Sequence, residues 1–380
     1  MELWLFTAIG VQKTTIYWQT LVVRLGFRNT NDHTVLELWS FTSMPCKQTT
    51  KHVCEGNTMN QILDKLEQIH GSVSVVGSMN ADYTVTTERL PGPGETVTGG
   101  PLQVLPGGKS GNQAAAAAKL GATVRMFGAV GSDSNADFLL AQLASAGVNT
   151  DGIRKVLGPS GTTVITVDSH GENTIVYSPG SNANVTVEYI DAQRELLTAS
   201  SVLGLCLESP LETVTACAAM CHEAGMKVLL NDSPFIATLP SELIAHADIL
   251  LVNEHELVQL LHINEPEDDD WDSFDWAQAQ RRLSKFGFDQ AIVTLGGDGS
   301  VVFDSTVEPS IIRIAPVRVD AVDTTGCGDS FMGTVLASLA SGLSLEESAQ
   351  LASYVSAYAA TGYGAQASYG TAAQIRERFR

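Results

Sequence analysis

The sequence predicts an α/β fold: a doubly wound, mainly parallel central sheet with helices on both faces and a small projecting β-sheet. Three observations point to it. From about residue 73 onward, short apolar runs alternate with segments of helical period, as in parallel sheets covered by helices. Several of the runs end in Gly, Asn or acidic residues, where ligands of open α/β sheets collect. Two stretches, 81–104 and 162–177, break the alternation with period-2 patterns and Gly, Pro or Asn turns, as antiparallel hairpins do.

Taken in order, residues 1–58 are rich in Thr and Trp, poor in Gly and without a sustained period of 2 or 3.6. They read as an extension of unknown role, either a disordered appendage or an artefact of gene calling, with Met59 the true start of a domain spanning 59–380. A helix follows, with Ile62, Leu63, Leu66 and Ile69 on one face, and then a strand over 73–76 ending at Gly77. Further strands are expected at 123–130, 202–207, 227–231, 249–252 and 291–295, with helices at 112–120, 135–146, 211–224 and 276–286. Together the two hairpin stretches suggest a lid over the strand ends, of the kind that excludes water from a reaction.

At 380 residues, 44% hydrophobic and 17% charged, the chain can bury a large core. Its formal net charge of −20 and pI near 4.7 exclude a nucleic-acid surface other than a local basic patch, and none is visible. The acidic run from Glu265 to Asp275 reads as a solvated loop before a helix. Six cysteines without a CxxC pair or regular spacing suit a reducing compartment. Cys217 and Cys221, four apart, are read as core residues of an Ala-rich helix, since a metal site would lack its fourth ligand. No apolar run approaches the roughly 18 to 20 residues of a membrane span, and Glu2 stands where a secretory leader would carry positive charge, so the expected location is cytoplasmic.

Four segments carry candidate chemistry. In Asp323-Thr-Thr-Gly326-Cys327-Gly328-Asp329, a glycine turn opens an apolar-periodic helix. Its free N–H groups and the helix dipole can hold charge developing on a transferred phosphoryl group, with the Asp329 carboxylate facing the attacking group. Alone, the same residues also fit an ordinary helix start with an acidic first turn. Pro106-Gly-Gly108-Lys109-Ser110-Gly111-Asn112 invites a P-loop reading, which fails because Gln103 stands where that motif needs Gly. A tight turn remains, with Lys109 and Asn112 as donors. Asn80 and Asp82, on one side of an extended chain, could bind vicinal hydroxyls or form an Asx turn. Asn253 and Glu256, after a strand, suit a hydrated Mg²⁺ or a helix cap.

In combination and in order, Asn80-x-Asp82, Gly107-Gly108-Lys109, Asn253-x-x-Glu256 and Asp323-Thr-Thr-Gly-x-Gly-Asp329 resemble the PfkB carbohydrate kinases. The likeness runs from about Val73 to the C-terminus and includes Pro93-Gly94-Glu95-Thr96, Leu207-Glu208-Ser209-Pro210, Thr294-Leu295-Gly296 and Gly364-Ala365-Gln366. Within the family the ribose kinases are the nearest match. The resemblance implies ATP-dependent phosphorylation of D-ribose at O5, with Asp329 as general base and Gly326, Cys327 and Gly328 as anion hole. It assigns sugar contacts to Asn80, Asp82, Gly108, Lys109, Ser110, Gly111, Asn112 and Glu208. Nucleotide contacts fall on Asn253, Thr294, Leu295, Gly296, Gly297, Asp298, Gly299, Gly328 and Ser353. It further implies Mg²⁺ held by Glu256 through water, and an activating K⁺ near Asp323, Thr325, Ala359, Gly362, Gly364 and Ser368. A homodimer joined through the lid is also implied.

Two substitutions depart from the family pattern. Cys327 replaces the usual Ala, which keeps the backbone N–H and introduces an oxidisable thiol. Ser110-Gly111 replaces a common Gly-Ala, a swap of small residues. Rival readings are a PfkB-type kinase for fructose, a keto-deoxy sugar acid or a nucleoside, and an inactive sugar-binding protein. Gln113 and the Asn80–Asp82 pair favour ribose, and the intact Asp329 turn argues against inactivity. A dinucleotide-dependent dehydrogenase is disfavoured because Ser78-Met79-Asn80 follows the first strand in place of Gly-x-Gly-x-x-Gly.

Overall fold

A computed structural model describes residues 61–380 in full, and the backbone of 2–12, 15–30 and 33–39. The chain divides into Met1–Gln61 and Ile62–Arg380. In the first unit, β1 (Glu2–Gln12), β2 (Thr15–Thr30) and β3 (His33–Trp39) form an antiparallel sheet in that order. The Thr, Val, Ile and Trp content of these strands favours extended backbone without strict alternation. Met59, the proposed start, lies outside the described residues, as do Cys46 and Cys54.

The second unit is built on a nine-stranded sheet. Its strands are β4 (Ser72–Val76), β7 (Thr123–Val130), β8 (Asn149–Lys155), β11 (Val202–Leu205), β12 (Lys227–Asn231), β13 (Ile249–Asn253), β14 (Gln290–Thr294), β15 (Ser300–Asp304) and β16 (Ile311–Ile314). In space the order is β16-β15-β14-β13-β12-β11-β4-β7-β8; pairing is parallel from β8 to β14 and antiparallel for β15 and β16. The central strands are buried along nearly their whole length, which is why they read as continuous apolar runs. The edge strands β8 and β16, and β15 next to β16, were not anticipated.

Strand β11 shows why both faces are covered. Leu203 and Leu205 join the core with Val214 and Ala218 of the helix Leu211–Glu223, while Gly204 faces the opposite way, so close to Leu336 that an added Cβ would come within 2.6 Å of it. Leu336 belongs to the helix Cys327–Ala340, which packs against helix Lys109–Lys119. That contact is tight because Gly333 lies on the backbone of Gln113 and beside Ala116, with no room for a Cβ. The Ala-rich face of Lys109–Lys119 thereby brings Asn112 and Gln113 to the start of helix Cys327–Ala340. Cys217 and Cys221 are buried in the core, as read from the sequence.

The projecting sheet comprises β5 (Asn80–Thr86), β6 (Gln103–Gly107), β9 (Gly161–Val167) and β10 (Asn173–Ser178), ordered β10-β9-β5-β6. Pairs β5–β6 and β9–β10 are antiparallel, as expected of hairpins. The join between them, a parallel β5–β9 pairing that sets Asn80 opposite Gly161 and Asp82 opposite Thr163, was not foreseen. In the long β5–β6 connection, Glu95 pairs with the Arg89 guanidinium and accepts from the Gly92 N–H at 3.0 Å. Arg89 and that N–H hold its carboxyl down at about 2. Among the described residues no helix is long and apolar enough to cross a membrane.

Candidate active site

The site is assembled where β4, β11, β12, β13 and β14 end and where helix Cys327–Ala340 begins. Gly326 caps that helix with φ of 75°, the left-handed region that glycine tolerates, and a Cβ there would come within 2.5 Å of Ala365 and the Tyr369 hydroxyl. Tyr369 donates from that hydroxyl to the Gly326 carbonyl at 2.8 Å, bracing the turn from behind. At Gly328, by contrast, a Cβ would meet nothing within 4 Å. The turn is therefore open on the Gly328 side, as an anion site requires, whereas the Cys327 N–H is spent on the Thr324 carbonyl at 3.1 Å, which corrects its expected place in the anion hole.

Asp329 sits in the first turn of the same helix. Its Oδ2 accepts from Asn112 Nδ2 at 2.9 Å and its Oδ1 from Gln113 Nε2 at 3.5 Å. Burial raises its pKa above the ordinary carboxylate range, against the nearby Lys109 ammonium and the Asn112 bond, with the Glu208 charge adding to the rise. Such a shift moves a carboxylate toward the range of a working general base. Lys109 is correspondingly held above its usual pKa: burial opposes its charge, but Asp329, Glu208 and Glu256 favour it.

Around Asp329 lies a polar cup. Asn80 is buried, and its Oδ1 accepts from Asn182 Nδ2 at 2.7 Å, which leaves the Asn80 amide group to donate. Asn182 also accepts from the Met79 N–H at 3.1 Å, so it clamps the start of β5. Asp82 accepts from the Thr163 hydroxyl, and burial raises its carboxyl to about 6. Glu208 accepts from the Lys109 N–H at 2.9 Å and from the Ser78 hydroxyl. Gly108, with φ of 87°, turns so close to Asn80 that a Cβ would come within 2.8 Å of its N. Of the cup residues read from the sequence, Ser110 points elsewhere: its hydroxyl turns to the Val76 carbonyl at 3.2 Å and the Cys206 thiol at 3.0 Å. Gly111 offers backbone alone, and its N–H is spent on the Ser78 carbonyl at 3.0 Å.

Beside the cup, a cleft of about 410 Å³ is lined by Thr294, Gly296, Gly297, Gly299, Cys327, Gly328 and Ser353. Leu295 is buried beneath it, and the exposed Asp298 faces Arg318 at 3.3 Å; neither is part of the lining. The apolar wall of Pro316, Val317 and Val319, with Phe331 and Ala357, escaped the sequence reading because it carries no motif. Asn253 and Glu256 form a reciprocal helix cap: Glu256 N–H donates to Asn253 Oδ1 at 2.7 Å and Asn253 N–H to Glu256 Oε2 at 2.8 Å. Asp232, also missed, follows β12, with one oxygen accepting from Ile236 N–H at 3.1 Å and the other buried without a partner; burial raises its carboxyl to about 6, with the Glu256 charge contributing. An orphaned oxygen near a second carboxylate fits a divalent cation.

Two loops meet beside the turn. Asp323 accepts from Thr325 N–H and Gly364 N–H, both at 2.9 Å, and these bonds hold its carboxyl down although burial opposes them. Gly362 lies against Ser368, whose Cβ a Cβ at 362 would approach to 2.9 Å. The candidate cation residues are thus adjacent, while Ala359 already accepts from the Gly362 N–H at 3.1 Å.

The model of the pfkB family carbohydrate kinases matches residues 71–372. The chain belongs to the PfkB family of carbohydrate kinases. It is a sugar kinase of the ribokinase type. A ribokinase of Schizosaccharomyces pombe is 34% identical over 317 residues, covering 81% of this chain and 98% of that protein. A deoxyribokinase of Salmonella typhi is 33% identical, covering 80% and 97%. Among solved structures, Arabidopsis thaliana ribokinase complexed with ribose and ATP superposes with a TM-score of 0.73 at 30% identity, covering 82% of this chain and 99% of that one. The PfkB match begins beyond the N-terminal sheet.

Proposed function

We propose that this kinase transfers the γ-phosphoryl group of ATP to O5 of D-ribose, giving ribose 5-phosphate and ADP. The observation that carries the reading is the position of Asp329: its carboxylate lies between a cup of hydroxyl-binding groups and a helix N-terminus that opens onto the second cleft. The sugar lies against Asn80, Asp82, Gly108, Lys109 and Glu208. ATP lies along Thr294, Gly296, Gly297, Gly299 and Ser353 with its adenine on the Pro316–Val319 wall. Asp329 takes the proton from O5 as it attacks phosphorus, and the N–H groups of Gly326 and Gly328 hold the developing charge. Such catalysis is mainly positioning and charge stabilisation, which these parts supply.

Glu256 and Asp232 would hold Mg²⁺ through water, neutralising phosphate charge. The loops around Asp323, Thr325, Ala359, Gly362, Gly364 and Ser368 would hold K⁺. We further propose that residues 59–380 carry the activity, that the enzyme works in the cytoplasm, and that two copies pair through the lid. Val164, Ile175 and Val176 of the lid are 53%, 58% and 68% exposed, an apolar group that pairing would cover. Release of ADP from ATP with a panel of ribose, 2-deoxyribose, fructose, keto-deoxy sugar acids and nucleosides, with and without K⁺, tests the reading. Preference for ribose with K⁺ activation is expected, and a fructose or nucleoside preference would overturn the substrate assignment.

A further inference from the structure

We propose that Gln366 is a positioning residue for Asp329, acting through Asn112: it fixes the orientation of the Asn112 amide so that this amide's donor faces the base. The inference rests on the kinase reading and concerns how its base is held.

An asparagine amide has two nearly isosteric ends with opposite hydrogen-bonding character. Asn112 can meet Asp329 with its N–H₂ group, which stabilises the carboxylate, or with its carbonyl, which repels it. Which end faces the base is decided by what binds the other. Here Asn112 Oδ1 accepts from Gln366 Nε2 at 3.0 Å, and Asn112 Nδ2 donates to Asp329 Oδ2 at 2.9 Å. Asn112 and Gln366 are each only 6% exposed, so water is a poor substitute for either. The chain Gln366 to Asn112 to Asp329 has one self-consistent direction: reversing the central amide would place a carbonyl against a carboxylate and an N–H₂ against an N–H₂.

The donor at its outer end is itself tethered. The Gln366 backbone carbonyl accepts from Lys119 Nζ at 2.8 Å, and the same ammonium reaches the Tyr369 backbone carbonyl at 2.8 Å. Tyr369 in turn braces Gly326, and Gly364 is held by Asp323. Lys119 and Gln113 extend the support from the helix that carries Asn112. The short segment 364–369 therefore touches both halves of the catalytic machinery: the base through Asn112, and the glycine turn through Tyr369. Gln366 has no other partner for its Nε2, and its Oε1 is buried without one. A glutamine kept in place for packing alone would carry that orphaned oxygen at a cost with nothing gained. The charged and titratable groups facing Asp329 are Lys109, Glu208, Asp82, Cys327 and Tyr369; Gln366 adds no charge and acts on the base only by orienting a dipole.

A double-mutant cycle tests this. Gln366→Met keeps length and removes the donor. Expected are a fall in kcat of about tenfold, within the coupling found for residues of one hydrogen-bonded network, an acid limb of the pH–rate profile moved upward, and an unchanged KM for ATP. In an Asn112→Ala background the same substitution should cost less than about twofold, because the amide it orients is gone. Equal losses in both backgrounds, an unmoved acid limb, or a change confined to the K⁺ concentration needed for half-activation would overturn the inference. Should Gln366→Met not fold, as read by its melting temperature, Gln366→Ala carries the same cycle. Wild-type enzyme that releases no ADP with any sugar would sink the kinase reading itself, whereas active wild type with additive variants sinks the positioning role alone.

Discussion

Asn112 Nδ2 donates to Asp329 Oδ2 at 2.9 Å, a bond between residues 217 positions apart that joins the starts of two helices. It requires the close helix contact at Gly333 and gives the carboxylate a fixed direction toward the cup. Asp329→Asn retains size and most hydrogen bonds but not basicity. We expect it to melt near the wild-type temperature and to lose turnover by a factor on the order of 10² or more, the range of general-base removal. Steady-state ADP release checks this, and near-normal turnover would remove Asp329 from the mechanism.

The raised pKa of Asp329 has a visible consequence for pH dependence. In the proposed mechanism only the ionised carboxylate can accept the sugar proton, so activity is expected to fall as pH drops through the folded-state pKa, which burial places above the usual Asp value near 4. Asp82, at about 6, is charge-coupled to it, so the acid limb reports the pair rather than either residue. The profile of kcat/KM for the sugar should therefore bend down above pH 4. A limb at the ordinary carboxylate pKa would contradict the burial that the geometry shows.

Much of this site was legible because it is encoded in short segments. The turn from Gly326 to Gly328 with Asp329, and Asn80 with Asp82, sit next to one another in sequence and are placed by a single helix start or strand. The central parallel strands were equally readable, since burial on both faces leaves only apolar residues. What escaped was set by contacts across long separations. Thr163 reaches Asp82 because β9 pairs in parallel with β5, and Asn182 reaches Asn80 from the turn Gly180–Asn184 beyond β10, and no local pattern encodes either meeting. Ser110, which resembled a sugar contact, turns inward because Gly77 leaves no side chain in its way. The Pro316–Val319 wall is apolar without periodicity, and Gln366 reveals its partner only in space.

The expected oxidation sensitivity of Cys327 is revised by its surroundings. Burial, with the Asp323 and Asp329 charges adding to it, raises the thiol to about 11, so little thiolate exists near neutral pH. Its Sγ points to the Ser356 carbonyl at 3.6 Å, and its backbone N–H donates to the Thr324 carbonyl at 3.1 Å. Cys327→Ala should keep kcat within about twofold. Wild-type enzyme should resist iodoacetamide at pH 7.5 over the time an exposed thiol is consumed. Rapid inactivation of wild type but not of the variant would refute this assignment.

Pairing through the lid predicts a mass near twice that of the chain by size exclusion with light scattering. Val176, 68% exposed in β10, is the informative position. Val176→Lys introduces a charge that pairing would bury without a partner, so it should shift the population to monomer. A wild-type monomer at tens of micromolar would dispose of the lid interface.

Asp82 offers a test that separates binding from stability. Because its folded-state pKa of about 6 exceeds the ordinary Asp value near 4, the folded protein binds this proton more tightly than the unfolded chain does. The contribution of this group to stability is therefore greatest below about pH 4 and declines as pH rises through 6, where a half-buried charge must be tolerated beside Glu208 and Asp329. Asp82→Asn keeps an acceptor for the Thr163 hydroxyl and removes the charge. In the absence of sugar it should raise the melting temperature at pH 8, by on the order of 2 °C, and the gain should shrink toward pH 4. Its KM for ribose should rise at least about tenfold, the loss expected when a carboxylate that accepts from a sugar hydroxyl is replaced by an amide. A variant less stable than wild type at pH 8, with an unchanged KM, would mean that Asp82 is held for the fold and not for the sugar.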